Sequence, residues 1–196
     1  DATRGKLAEL SDPLVKAADG RTVWDTKRYD FIKGAAPTTV NPSLWRQQTL
    51  NTAQGLFKVA DGIYQIRGYD IANMTLVEGQ TGWPAIDTML TAPVSRAGMK
   101  LAMDTLKSSK PVVAVIYTHS HADHFGGARG VIDEADVRSG KVKIIAPDAF
   151  MEYAISENVL AGNAMTRRAM YMYGVGLPQN GQGTLGTGLG LAVSED

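Results

Sequence analysis

An α/β layered domain is what this sequence predicts, and three observations carry the prediction. Residues 56–88 hold short apolar runs separated by turn residues. Residues 94–107 switch to a helical period, and 111–117 form a nearly continuous β-branched run. The order strand, helix, strand, loop, helix, strand, helix is that of a sheet layered with helices.

Residues 1–50 are polar and broken by Pro13, Pro37 and Pro42. They read as an N-terminal arm and helix that pack on the remainder, 51–196, through Trp24, Tyr29, Phe31 and Trp45. Val23-Trp24-Asp25 is a strand-like patch within the arm. Asn41-Pro42-Ser43 signals a helix start, with Asn or Ser as cap, and the helix is expected to reach Gln54. Phe57–Ala60 and Ile63–Ile66 flank Asp61-Gly62, a hairpin dipeptide in which glycine accepts a positive φ. Asn73–Glu78 and Gly82–Thr88 read as further strands.

Met99, Ala102, Met103 and Leu106 fall at i, i+3, i+4 and i+7, one helix face, so these methionines read as packing residues. Pro111 bars continuation of that helix and biases Lys110 away from helical backbone. The run 111–117 suits a strand buried on both faces. Lys141–Ala146 is the next strand, and Pro147-Asp148 opens a helix over about 149–172. The glycine-rich stretch 174–190 lacks the strand-then-helix context of a dinucleotide loop. It reads as a mobile loop or, functionally, as a cover over an active site.

Lys plus Arg and Asp plus Glu both number 20, so the net charge is zero with histidine neutral, which argues against nucleic acid as a partner. No run of like charge points to a polyanion. The absence of cysteine excludes disulfides and thiolate ligands. No apolar stretch approaches the roughly 18 residues of a membrane-spanning helix. A start at Asp1 rather than Met fits removal of a signal peptide, so a periplasmic or secreted location is the expectation, with the cytoplasm left open.

The strongest signal is histidine placement. The chain has only three histidines, His119, His121 and His124, and all lie within six residues with Asp123 among them. Neutral imidazole is a good zinc ligand and aspartate supplies a hard oxygen. His119 and His121 alternate in an extended loop after the β-branched strand, so their rings can converge on one metal. Asp123 and His124 open the next helix, where they can reach a second metal roughly 3.5–4 Å away, as in two-metal hydrolases. Gly126 and Gly127 let the backbone pass close by without a Cβ in the way. A surface His cluster or a single adventitious metal site is the plainer alternative.

The stretch Val112–Gly127, with His119-Ser-His121-Ala-Asp123-His124 at its centre, resembles the zinc motif of the metallo-β-lactamase superfamily. Asn73–Gly79 and Trp83–Thr88 are similar to that superfamily's first sheet. Residues 41–88 and Glu157–Gly174 resemble a narrower group, the alkyl sulfatases that hydrolyse dodecyl sulfate. The resemblance implies an αββα sandwich, of which this chain carries an N-terminal part. It implies His119 and His121 on one zinc, and Asp123 and His124 on the other. A further His and carboxylates come from later in that family's chain, and no histidine follows residue 124 here. Glu152, Glu157, Glu195 and Asp196 are available acids, but no motif makes any of them a ligand.

The function implied is zinc-dependent hydrolysis of alkyl sulfate esters by a two-metal-activated water, with Asp123 both a ligand and a group that orients the nucleophile. The expected partners are a small alkyl sulfate substrate, the C-terminal remainder of the enzyme and a second copy in a homodimer. Asn163, Arg167 and Arg168 sit on a predicted helix; an Arg fork suits sulfate, although a solvated pair is the plainer reading. Tyr171 and Tyr173 are candidates for an alkyl-chain channel, with packing the default. Asp87 is either a turn cap or a residue that approaches the site, and Tyr117 is expected to pack in the sheet. The alternatives are a thioesterase, lactonase or β-lactamase on the same fold, or a metal-binding subunit without turnover.

Overall fold

The computed structural model describes residues 1–195. Strands β1 (Lys6–Ala8), β2 (Leu14–Lys16) and β3 (Thr22–Asp25) come first. Helix α1 (Pro42–Asn51) leads to β4 (Gly55–Ala60), β5 (Ile63–Arg67), β6 (Met74–Val77) and β7 (Trp83–Ile86). Helix α2 (Ala92–Leu106) crosses to β8 (Val112–Ile116), followed by α3 (Ala122–Phe125), α4 (Glu134–Arg138), β9 (Lys143–Ile145), α5 (Phe150–Ile155) and α6 (Gly162–Tyr173).

A seven-stranded sheet runs in the order β1-β4-β5-β6-β7-β8-β9, and β2 pairs with β3 separately. The pairs from β1 to β7 are antiparallel, whereas β7-β8 and β8-β9 are parallel. Parallel neighbours need a crossover, and α2 supplies the one between β7 and β8. Their shared direction brings the ends of both strands, Ile86 and Ile116, side by side.

Strands β6 and β7 alternate, with Met74, Leu76, Trp83 and Ala85 buried and their neighbours half-buried. The buried set joins Ile66, Met89, Val94 and Ala102 in the core, and Met99, Met103 and Leu106 of α2 pack against it as their spacing predicted. Lys107, in left-handed backbone (φ 51°), ends α2 four residues before Pro111. Strand β8 is only half-buried apart from Val115, against the expectation of burial on both faces. It lies next to the edge strand β9, which is exposed along its length.

The arm packs as expected through buried Trp24, Tyr29 and Trp45, with Phe31 half-buried between the rings of Tyr29 and Trp45. It also does more than pack, since β1 adds a strand beside β4. Asn41 caps α1 by accepting a hydrogen bond from Ser43 N at 2.9 Å. The hairpin turn is where Asp61-Gly62 placed it, with Gly62 at φ 71°.

Two further readings need correction. The helix foreseen over 149–172 is broken into α5, a π-helical turn at Ser156–Leu160, and α6. Asn158 Nδ2 donates to the Ala154 carbonyl (2.8 Å), which diverts an acceptor from the helix ladder, and Gly162 follows. The glycine-rich stretch and the residues after it are anchored to the core. Leu185 and Leu191 are buried in the core, and Leu191 O accepts from Tyr29 Oη at 3.2 Å. Ser194 donates through N and Oγ to Asp70 (3.1 and 2.6 Å), while Glu195 N reaches Val23 O at 3.1 Å. Asp70 also accepts from Ile71 N and Leu90 N, yet burial outweighs these bonds and pushes its carboxyl above the usual range.

Ser194→Ala removes a donor to a buried carboxylate. It is expected to cost about 1–3 kcal/mol in urea unfolding and to open residues 184–195 to limited proteolysis. An unchanged midpoint and cleavage pattern would contradict this account of the tail.

Candidate metal centre

The centre forms where β7 and β8 end. After β7 the chain turns sharply, with Asp87 (φ 56°) and Met89 (φ 58°) both in the left-handed region. Each such non-glycine residue costs on the order of 1–3 kcal/mol unless its surroundings hold it there. They are held by Asp87 N to Ile116 O, Thr88 N to His124 O and Gly127 N to Met89 O, each 2.9 Å. After β8, residues 118–121 run as a loop into α3, which starts at Ala122 with His121 in extended backbone. Tyr117 packs below this loop, stacked on Phe150 and tilted against Phe125, with ring centroids 5.3 and 5.9 Å away.

The three histidines and Asp123 lie close together. The ring centroid of His119 lies 4.6 Å from that of His121 and 4.0 Å from that of His124. Asp123 Oδ2 is 3.3 Å from His124 Nε2.

Asp87 organises this cluster, which resolves the two readings of it in favour of approach to the site. Its Oδ1 accepts from Thr118 N at 2.9 Å, and its Oδ2 accepts from Thr118 Oγ1 at 2.8 Å and from His124 Nδ1 at 2.8 Å. A carboxylate can only accept, so Nδ1 of His124 carries a proton. The single hydroxyl proton of Thr118 goes to Asp87, so Thr118 Oγ1 accepts from His119 Nδ1 at 3.0 Å. One carboxylate thus fixes both imidazoles as Nδ1–H donors and leaves each Nε2 to face the cluster. Such outer carboxylates are how proteins orient histidine ligands.

The electrostatics agree with this geometry. Burial alone would raise the Asp87 carboxyl, but the bonds from His124 and Thr118 overcome it and hold the group below its ordinary range. Burial likewise opposes ionisation of Asp123, and its bond with His124 reverses the sign. Asp123 first, and Asp87 second, push His124 up to about 9. Burial, then the charges of His124 and His121, lowers His119.

Ser120 is buried in the loop and held from the π-helical turn. Its Oγ donates to Glu157 Oε2 at 2.8 Å, and its carbonyl accepts from Asn158 Nδ2 at 3.0 Å. Glu157 Oε2 is also 3.6 Å from His121 Nε2. Neither Asp87 nor Glu157 has a sequence motif, and only the tertiary fold brings them to the histidines. Glu152 is exposed, and Glu195 pairs with Arg28 instead at 3.2 Å. Asp196 lies outside the described residues. Asn163, Arg167 and Arg168 are exposed on α6, and among the described residues they form no hydrogen bond or ion pair with the cluster.

In kind, these donors suit zinc. In arrangement they do not complete a site: among the described residues, no group of three or more His, Asp or Glu side chains is disposed to hold a metal ion. Further ligands are needed.

Residues 67–194 match the model of the metallo-β-lactamase superfamily. The chain belongs to that superfamily. Membership implies metal ions. The chain is also 53% identical over 195 residues to a linear primary-alkylsulfatase of a Pseudomonas species, covering 98% of this chain and 29% of that relative. It is 49% identical to an alkyl/aryl-sulfatase of Saccharomyces cerevisiae, covering 99% of this chain and 30% of the relative. The solved structure of a stereoselective inverting sec-alkylsulfatase from a Pseudomonas species superposes with a TM-score of 0.91 at 50% identity, over 100% of this chain and 31% of that one. The chain thus has the fold of the corresponding part of that alkylsulfatase, and spans about 30% of the length of these relatives.

Two substitutions test the centre. Asp87→Asn places an amide against His124 Nδ1 and removes the reason for its tautomer. Metal affinity of the full-length protein, measured by competition with a chromophoric chelator, is expected to fall about 10–100-fold. Gly127→Ala drives a Cβ into Ser95 Oγ and the Thr88 carbonyl, at ordinary negative φ, so the cost is crowding rather than backbone strain. A loss of about 1–3 kcal/mol is expected in thermal or urea unfolding.

Proposed function

We propose that the protein carrying this chain hydrolyses alkyl sulfate esters such as dodecyl sulfate, and that it does so with two zinc ions. The observation that carries the proposal is the Asp87-centred arrangement that turns two histidines, His119 and His124, toward one cluster with His121 and Asp123. Similarity to alkylsulfatases over nearly the whole chain supplies the substrate class.

In this reading His119 and His121 hold one ion, Asp123 and His124 the other, and residues beyond this segment complete both sites. The chemistry that zinc supplies is Lewis acidity, which activates water near neutral pH and offsets charge developing on the ester. This chain's own residues prepare for it. Asp87 and Thr118 keep the imidazoles in the tautomer whose Nε2 can donate to a cation. Asp123, held ionised, offers an acceptor that can also orient a water proton.

Sulfate release from dodecyl sulfate by the full-length protein tests the reading. Release is expected to vanish with a chelator and return with zinc. Release that survives complete metal removal would overturn the zinc assignment. A metal-loaded protein that leaves alkyl sulfates intact but cleaves a thioester or lactone would overturn the substrate class.

A further inference from the structure

Asp70 lies between β5 and β6, and four donors converge on its buried carboxylate. Ile71 N and Ser194 N reach Oδ1 at 2.8 and 3.1 Å, while Leu90 N and Ser194 Oγ reach Oδ2 at 3.0 and 2.6 Å. The Ser194 proton is thereby committed, so the Thr91 hydroxyl donates to Ser194 Oγ at 2.8 Å. Thr91 stands at the N-cap of α2, yet its side chain makes no capping bond. Its hydroxyl serves the tail instead. All three side chains are buried, so water does not replace a partner that is lost.

These bonds meet the far end of the turn that carries Asp87. Asp87 opens that turn after β7, and Leu90 and Thr91 close it before α2. The Asp87 end is held from β8, by Asp87 N to Ile116 O. The Leu90–Thr91 end is held by Asp70 and the tail. Between the two ends, Asp87 and Met89 keep left-handed backbone, which persists only where the surroundings over-determine it. The Leu90 carbonyl also abuts Gly126 at the end of α3, where a Cβ would stand 2.3 Å from it. A shift of Leu90 therefore reaches the helix of Asp123 and His124.

We infer that Asp70 is a positioning residue for Asp87: it clamps the Leu90–Thr91 end of the turn and, through Ser194, makes that clamp depend on the docked tail. Tail docking and the placement of the Asp87 carboxylate are then one equilibrium, joined at a carboxylate that touches neither histidine nor substrate.

The test is hydrogen exchange followed by mass spectrometry on the full-length protein, for the parent, Ser194→Ala and Asp70→Asn. Alanine removes the hydroxyl that links tail and turn. Asparagine keeps the size of the Asp70 side chain but has one acceptor oxygen in place of two. In both variants, exchange is expected to quicken about 5–30-fold over residues 184–195 and 87–91. It is expected to quicken likewise at Thr118 N and Gly127 N, whose acceptors are Asp87 Oδ1 and Met89 O. The β4–β5 hairpin, residues 55–67, is expected to keep the parent rate. Faster exchange confined to the tail and Leu90 would overturn the inference, because the clamp would then be a local anchor. Equal quickening in the hairpin would also overturn it, because Asp70 would then hold the core at large rather than the turn.

Discussion

The centre depends on the carboxylate of Asp87. It opens the turn after one strand, yet it satisfies the backbone just past the end of the neighbouring strand and an imidazole on the helix beyond. Its backbone sits in a conformation that a non-glycine residue adopts only under constraint. The constraint and the function are one network: the bonds that hold the turn also set the tautomers of two histidines. Gly127 completes it by letting α3 and the residues after it close onto the Thr88–Thr91 turn, where any side chain would meet backbone oxygens.

Parallel pairing of β7 with β8 makes this possible. In open α/β sheets, ligands gather at the carboxyl ends of parallel strands. Among the strands of the described residues, β7, β8 and β9 are the parallel ones, and the histidines follow one of them. The antiparallel strands on the other side, with the arm and the tail, serve as the platform.

Much of this was legible in the sequence because it is local. The histidine spacing, the Asp61-Gly62 turn, the cap at Asn41 and the α2 face each depend on residues within a few positions of one another. Long-range partnership is less legible: the sequence leaves Asp87 between turn cap and approach to the site, and names no partner for it. Asp87 meets Thr118 and His124 across 31 and 37 residues, and Glu157 meets Ser120 across 37. No periodicity marks such partners. The tail is illegible for a related reason: two leucines and Ser194 find buried partners far away in the chain, which its glycine content does not register. The long helix failed because Asn158 and Glu157 turn toward the loop of Ser120, a demand that helix propensity does not register.

The division between local donors and distant carboxylates bears on how metal and folding are linked. His119, His121, Asp123 and His124 are near neighbours in sequence, so even an unfolded chain keeps them within reach of a cation. A ligand stabilises a fold only by the difference between its affinities for the folded and unfolded chains. That difference cannot come from having the donors close together, which both states share. It would come from groups that only the fold delivers: Asp87, carried to the histidines by the closed sheet, and the further ligands that complete the site. In the proposed reading, metal uptake at this centre would follow completion of the β7–β8 crossover rather than nucleate it, the reverse of a small domain that folds around its zinc.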